Sequence, residues 1–454
     1  MSADRVVLER GEPGYEVARL GAIWNARKPA RYPDVIVIAR DEDDVVAAVD
    51  LARQRELPLS IRSGGHSWIA DAVRDGGVLA DLCALDAISI EPDAETFSIQ
   101  PAARSKNVAM AVTAAGASFP TGHQPTVGLG GFTLGGGYGW NGRSWGPACL
   151  SITAIDVVLA DGELLHADDR SHPELLWAAR GAGPGFFGAV TRLYLRKHEP
   201  YEQILHWLYV FPDELRGDVL SWAYETLPSI PAAVEPMASY RFDAERRQMV
   251  VVLHAVGFLT AGSGADVFDP IAGCPFAERA LRTVRAEATD FERLYAGTEA
   301  ATPEGLRYAV DGIWLDAPAS EIIERARPLL DATPRDESFL LFMLWGHYPP
   351  GGNACWSTQG KLYLSPSAGW REPAEDLAHE RWAHSMLDEL HDLSRGAQLS
   401  DANPADRPDN GISEVNLARL EELRQLYDPE GRFRSYMTPA ESGTALGASR
   451  REHA

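Results

Sequence analysis

Cysteine is scarce: four residues in 454, Cys83, Cys149, Cys274 and Cys355, with neither CxxC nor histidine-pair spacing. That scatter argues against a zinc-type ligand set and a disulfide framework, and predicts buried thiols. No metal is expected. Apolar runs of membrane-crossing length are missing, as is a charged-then-apolar leader ahead of a cleavage site, which predicts a cytoplasmic protein with no membrane partner. Positive charge is also short, with 42 Lys and Arg against 65 Asp and Glu, a formal net charge of −23. Such a surface repels a phosphate backbone, so nucleic acid is set aside as a partner. The acidity reads as a well-solvated surface in preference to a steering field for a cationic substrate. No repeat of solenoid length is present.

What is there is a globular composition, 45% hydrophobic and 24% charged, in a chain long enough for two domains. Val35-Ile-Val-Ile38 predicts a buried strand. Asp41, with Asp44 three residues on, predicts the N-cap of a helix carrying Val45, Val46, Val49 and Leu51. Leu57–Ile61 completes a β-α-β unit that runs into Arg62-Ser-Gly-Gly-His-Ser67, at the C-terminal end of a strand, where α/β proteins collect their chemistry. Residues 107–117 predict a helix and Ile152–Leu159 a strand. From 203 to 400 the pattern changes: 249–256, 338–345 and 361–364 read as strands and 319–331 and 373–393 as helices. An antiparallel sheet backed by helices accounts for them. A helix over 413–426 stops at Asp428-Pro-Glu-Gly431. The expected fold class is α+β, with domains at 1–202 and 203–404, a segment 405–440 returning to the first domain, and a disordered tail at 441–454.

Two loops stand out chemically. Thr126 to Gly139 holds seven glycines in fourteen residues, which lets backbone N–H groups converge on an anion such as phosphate. A glycine run by itself serves turns and bulges as readily. It fits neither the G-x-x-x-x-G-K-[ST] loop nor the strand–G-x-G-x-x-G–helix fingerprint, because no lysine follows and a further glycine cluster does. The second cradle is Arg62-Ser-Gly-Gly-His66, in which Gly64 and Gly65 expose N–H groups and Arg62 adds a fixed charge. Alone, His66 would read as a loop histidine bonded to its neighbours.

Together with Leu79-Ala-Asp-Leu82, Pro125-Thr-Val-Gly-Leu-Gly-Gly131, Gly135-Gly-Gly-Tyr-Gly139, Ala160-Asp-Gly162, Trp177-Ala-Ala-Arg-Gly181, Phe187-Gly188 and Tyr427-Asp-Pro-Glu-Gly-Arg-Phe433, these loops closely resemble the berberine-bridge-enzyme-like group of the vanillyl-alcohol-oxidase/p-cresol-methylhydroxylase superfamily, in its bacterial members. The resemblance implies a two-domain FAD-binding fold with an antiparallel-sheet substrate domain. It implies FAD held by Arg62, Ser63, Gly64, Gly65, His66, Ser67, Gln124, Thr126, Val127, Gly128, Gly131, Gly136, Gly137, Tyr138, Gly139, Ile152, Gly188, Val190 and Tyr436. It also implies a covalent bond from His66 to the 8α-methyl carbon of the flavin. Many members have a second tether through a cysteine at the position of Gln124, so a single histidyl link is expected here. Gly185-Phe-Phe-Gly188 departs from the family's Gly-Asn-Phe-Gly at the adenine end.

The implied function is an FAD-dependent oxidoreductase, taking hydride from a C–H next to oxygen or nitrogen in a sugar, alcohol, amine or natural-product intermediate. A small residue at the position of Val127 goes with oxygen reactivity in the family, which favours an oxidase that uses molecular oxygen and releases hydrogen peroxide. Flavin-assisted cyclisation, a dehydrogenase with another acceptor, and a flavin-binding protein without turnover stay open. The family's Tyr-x-Asn segment, whose tyrosine often serves as base, aligns with Gln398-Leu-Ser400, and a glutamine removes no proton. Candidate bases are Tyr363, Tyr240 and His347, with Tyr348 beside them, and for each a packed or surface aromatic is the plainer reading. Trp207, Tyr209, Trp345 and Trp356 would suit a ring-shaped substrate or a core. The protein is expected as a monomer or small homo-oligomer.

Overall fold

The computed structural model describes residues 5–91, 93–346, 348, 353–385, 387–401, 411–438 and 441. Val6–Glu9 (β1), Val35–Ile38 (β2), Leu59–Arg62 (β3) and Val78–Asp81 (β4) form a sheet in the order β1-β2-β4-β3. β1 runs antiparallel to β2, whereas β2, β4 and β3 are parallel. Val35, Ile36 and Val37 are all buried because β2 is covered on both faces. Val35 and Val37 join Val45, Ala48 and Val49 of helix Glu42–Gln54, and Ile36 joins Tyr15 and Ile23. That helix starts where Asp41 accepts a hydrogen bond from the Asp44 N–H. The β-α-β unit is present, but β4 lies between its two strands. The sequence signal was local and could not show the inserted strand.

Ile88–Ser89 (β5), Thr96–Ile99 (β6), Ile152–Val158 (β7), Leu164–Asp168 (β8) and Ala189–Arg196 (β9) build a second, antiparallel sheet in the order β5-β6-β9-β7-β8. The third sheet is also antiparallel. Its strands are Gln203–Pro212 (β10), Val234–Asp243 (β11), Gln248–Leu259 (β12), Arg282–Thr289 (β13), Arg307–Val310 (β14), Ile313–Leu315 (β15), Phe339–Met343 (β16) and Leu362–Trp370 (β17). The order is β13-β10-β12-β11-β16-β17-β14, with β15 also paired to β17.

The period-two alternation of these strands gives the third sheet two faces. Leu205, Trp207, Tyr209 and Phe211 of β10 pack on Val219, Leu220 and Ala223 of helix Arg216–Thr226. Met343, Trp345, Trp314 and Tyr363 share a cluster with Tyr138 of the glycine-rich segment, so the opposite face of this sheet closes over the glycine-rich loops. The helical stretch read at 319–331 is broken into Ala319–Arg325 and Arg327–Asp331, with Pro328 in the first turn of the second piece. The stretch at 373–393 resolves into helix Asp376–Ser385 flanked by short 3₁₀ turns.

Helix Glu414–Tyr427 is capped by Ser413 and ends at Asp428, whose carboxylate accepts the N–H groups of Arg432 and Phe433. The chain then runs beside β3: the Leu59 N–H donates to the Arg432 carbonyl at 2.7 Å and the Arg434 N–H to the Leu59 carbonyl at 2.8 Å. This carries Arg434 to Met437 to the mouth of the loop that follows β3. All but residue 441 of the expected tail lies outside the described residues.

Cys149, Cys274 and Cys355 are buried thiols, but Cys83, just beyond β4, is exposed. Among the described residues there is no disulfide, no cluster of metal-ligating side chains, and no helix long and apolar enough to cross a membrane.

Candidate active site

A cleft of about 360 Å³ opens beyond the C-terminal ends of β3 and β4, between the glycine loops, residues 398–401 and residues 433–437. Its floor is set by two glycine loops that touch backbone to backbone. A Cβ on Gly64 would lie 2.5 Å from the Gly128 nitrogen, and one on Gly128 would lie 2.7 Å from the Gly64 Cα. Only glycine permits this crossing, and Gly65 adds a positive φ of 70°. The backbone N–H groups from Gly64 to Ser67 have no protein acceptor among the described residues, although such groups are normally paired. Consecutive free N–H groups on a glycine turn make a nest for an anion. The pyrophosphate of a dinucleotide cofactor fits it.

Arg62 lines this floor, but its guanidinium is held by Asp81 at 3.0 Å and by the carbonyls of Ala22 and Gly64. It braces the loop across β3 and β4 and is not a free charge for the ligand. His66 lines the cleft with its ring stacked on Trp24 at 4.7 Å, and Trp24 stacks in turn on Tyr308 at 5.4 Å. Its Nε2 meets the Thr126 hydroxyl at 2.9 Å, and Nδ1 has no protein partner among the described residues. Burial, with Arg62 and Arg104 adding, pushes the imidazole down to about 3, so the ring is neutral across the physiological range.

The opposite wall comes from Gln398, Leu399, Ser400 and Asp401. The Asp401 carboxylate accepts from Trp68 Nε1 at 3.2 Å and from the Tyr363 hydroxyl at 3.3 Å. Burial pushes Asp401 up to about 6, even though both hydrogen bonds favour its ionised form. Burial, then Asp401, pushes the Tyr363 phenol well above its ordinary value, which keeps it a hydrogen-bond donor. His123 also lines the cleft, with Nε2 2.5 Å from an oxygen of Glu235 on β11.

Comparison with known proteins decides what this arrangement belongs to. The family described as FAD binding domain matches residues 33–168. The FAD-linked oxidoreductase nodO of Hypoxylon pulicicidum is 30% identical over 427 residues, 92% of this chain and 94% of that protein. The chain belongs to the FAD-linked oxidoreductases. Its fold matches 6-hydroxy-D-nicotine oxidase from Arthrobacter nicotinovorans with a TM-score of 0.84 at 22% identity, over 95% of this chain and 97% of that one. It also matches BBE-like 1 of Physcomitrella patens, with a TM-score of 0.81 at 20% identity and 96% coverage of both chains. The fold is thus the PCMH-type FAD-binding fold, helices combined with antiparallel sheets.

In this FAD-linked oxidoreductase the cleft brings together Arg62 to Ser67, Gln124, Val127, Gly128, Gly131, Tyr138, Gly188, Val190 and Tyr436. Thr126 stands behind His66. Gly136, Gly137, Gly139 and Ile152 do not line it. A Cβ on Gly137 would meet Ala148 and one on Gly139 the Thr121 carbonyl, so these glycines let the turn pack inward. The Ile152 carbonyl is taken by Arg180. Gln124 faces the cleft and donates from its amide to the Thr298 carbonyl at 3.1 Å. At the other end, Tyr436 donates to the Ala182 carbonyl and closely covers Gly185.

Of the candidate bases, Tyr363 reaches the cleft wall only through Asp401. Tyr240 is removed from it, because its side chain points to the helix-covered face of the third sheet and bonds Asp213 at 2.7 Å and Arg216 at 3.1 Å. Tyr348 packs on Gly146 away from the cleft, and His347 lies outside the described residues. Trp207 and Tyr209 are core, while Trp356 donates to the Tyr138 hydroxyl at 2.8 Å. Asp401, Trp24 and the His123–Glu235 pair were missed by sequence reading. A carboxylate one residue beyond the aligned Gln398-Leu-Ser400 was the available sign of Asp401.

Proposed function

We propose that this protein is an oxidase carrying FAD covalently on His66 through Nδ1, with no cysteinyl link, and acting on a small molecule with a C–H next to oxygen or nitrogen. The setting of His66 carries the reading. A neutral ring with Nε2 engaged by Thr126 and its plane held by Trp24 presents Nδ1 as the nitrogen available for a carbon bond. When bound, FAD supplies the hydride acceptor and passes the electrons to molecular oxygen, giving hydrogen peroxide, and a histidyl tether favours hydride acceptance by raising its potential.

The chain's own groups divide the remaining work. The free N–H groups of residues 64–67 hold the pyrophosphate, and Tyr436 and Gly188 bound the far end of the cofactor channel. Asp401 takes the O–H or N–H proton of the substrate, because it is the ionised acceptor on the wall while Tyr363 stays protonated as its donor. Sugars, alcohols, amines and natural-product intermediates have the required C–H. The oxidase named among the solved neighbours supports the choice of oxygen as acceptor.

Acid or SDS denaturation of the purified yellow protein tests the covalent claim: the flavin absorbance should stay with the polypeptide. Complete release of the flavin would overturn it. For oxygen, the dithionite-reduced protein should be reoxidised rapidly by air. Val127→Leu should slow that step at least about tenfold, on the order of 1.4 kcal/mol, without comparably slowing anaerobic reduction by substrate. The expectation is steric, since Val127 lines the cleft and an added methylene narrows it. Equal slowing of both half-reactions would mean a general disturbance of the site.

A further inference from the structure

One pair on the cleft wall is unused by this scheme. Glu235 sits on β11, 1% exposed, and both of its oxygens are engaged: Oε1 by His123 Nε2 at 2.5 Å and Oε2 by the Asn141 backbone N–H at 2.8 Å. A backbone N–H only donates, so Glu235 acts as acceptor, and the short contact to His123 has the length of a charge-assisted hydrogen bond. The His123 ring is fixed edge-on against Trp140 at 4.3 Å, and its carbonyl is held by the Thr298 hydroxyl at 2.7 Å. Its Nδ1 has no protein partner among the described residues, on a side chain that lines the cleft. This is the geometry of an imidazole whose second nitrogen is oriented by a carboxylate, leaving the first for proton exchange.

The other titratable groups around the pair are engaged elsewhere or neutral. Arg143, which feels the Glu235 charge, has its guanidinium turned to the carbonyls of Ile230, Pro231, Val234 and Trp345. On the sheet side are His254 and His206, with ring centroids 4.6 Å apart. Burial, then His206 and His123, pushes His254 down to about 3, and burial lowers His206 as well, so neither supplies a cation. Tyr295, bonded to Thr121 nearby, is pushed up by burial and stays a neutral phenol. Across the cleft is Asp401, whose ionised form His123 favours. His123 therefore lies between two carboxylates, Glu235 in contact and Asp401 opposite.

We propose that His123 and Glu235 form a second proton-handling pair of the cleft, in which Nδ1 of the imidazolium supplies the proton that completes hydrogen peroxide. The step rests on the oxidase reading. The balance is that oxygen takes two electrons and two protons. The hydride removed from the substrate accounts for both electrons and one proton, and His123 gives the other. The substrate's O–H or N–H proton, taken by Asp401, passes through water in the cleft to recharge His123, so no outside acid is consumed.

His123→Gln tests this, because an amide nitrogen can still donate to Glu235 while the side chain no longer titrates. FAD loading and thermal stability should be retained. In ¹⁵N-histidine-labelled holoenzyme, NMR should show His123 Nε2–H in a strong hydrogen bond, and Glu235→Gln should weaken it. Reoxidation of dithionite-reduced wild type by oxygen should fall as pH rises. In His123→Gln it should be at least tenfold slower near neutrality and flat with pH. Fast wild-type reoxidation that His123→Gln leaves unchanged would overturn this step alone, as would a pH dependence of reoxidation that His123→Gln retains. Slow wild-type reoxidation at every pH would overturn the oxidase reading, and the step with it.

Discussion

Asp401→Asn is expected to slow anaerobic flavin bleaching by substrate about 10²- to 10⁴-fold, roughly 3–5.5 kcal/mol on the barrier. Asparagine keeps the size of the side chain and can still accept from Trp68 Nε1 or from the Tyr363 hydroxyl, so the wall should remain folded, but it cannot take up a proton. The wild-type pH profile follows from the same group. Asp401 is pushed up to about 6 by burial, and only its ionised form can serve as base. The rate of reduction should therefore be flat above about pH 6 and fall tenfold per unit below it. Tyr363→Phe should act more mildly and move this inflection, because it removes a hydrogen bond that favours the carboxylate. A full rate in Asp401→Asn, with an unchanged profile, would place the base elsewhere.

The second large effect is at His66. His66→Ala should still load FAD, since the nest of N–H groups from Gly64 to Ser67 needs no imidazole, but denaturation should then release all of the flavin. Its midpoint potential should fall by tens of millivolts, each 30 mV of a two-electron couple being about 1.4 kcal/mol. Loss of the stack on Trp24 should cost roughly 0.5–1.5 kcal/mol of stability. Thr126→Val is the subtler companion. It removes the hydroxyl that engages Nε2, so incorporation should slow while the linkage, once formed, survives denaturation. Retained flavin in His66→Ala would point to another attachment residue.

The parts of this fold that were legible in the sequence are those governed by local rules. The run Val35 to Ile38, the cap at Asp41 and the terminal helix from Glu414 all follow from side-chain periodicity and capping within a few residues. The insertion of β4 between β2 and β3 did not, because pairing of distant strands leaves no local trace. The glycine loops were visible as composition, and their order along the chain carried the likeness to FAD-binding proteins. Which glycines meet the cleft was not visible: Gly64 and Gly128 cross there, whereas Gly137 and Gly139 pack inward.

The substrate side was the least legible. Tyr240 and Tyr363 both lie on strands of the third sheet, yet one faces the helices and the other the cleft wall, a difference set by register. Asp401 joins Trp68 from 333 positions away in the chain, and Glu235 joins His123 from 112. Contacts of that range between loops and sheets are made by the tertiary fold, and no spacing within either segment announces them.

The claim on which the rest depends is the bond to His66. Proteolysis of the denatured protein and mass spectrometry of the flavin-coloured peptide test it most directly. The account predicts one flavopeptide, containing Gly64-Gly65-His66-Ser67, with the flavin mass on His66 and none on the peptide that contains Gln124. A yellow peptide mapping elsewhere, or free FAD with an unmodified His66 peptide, would contradict it.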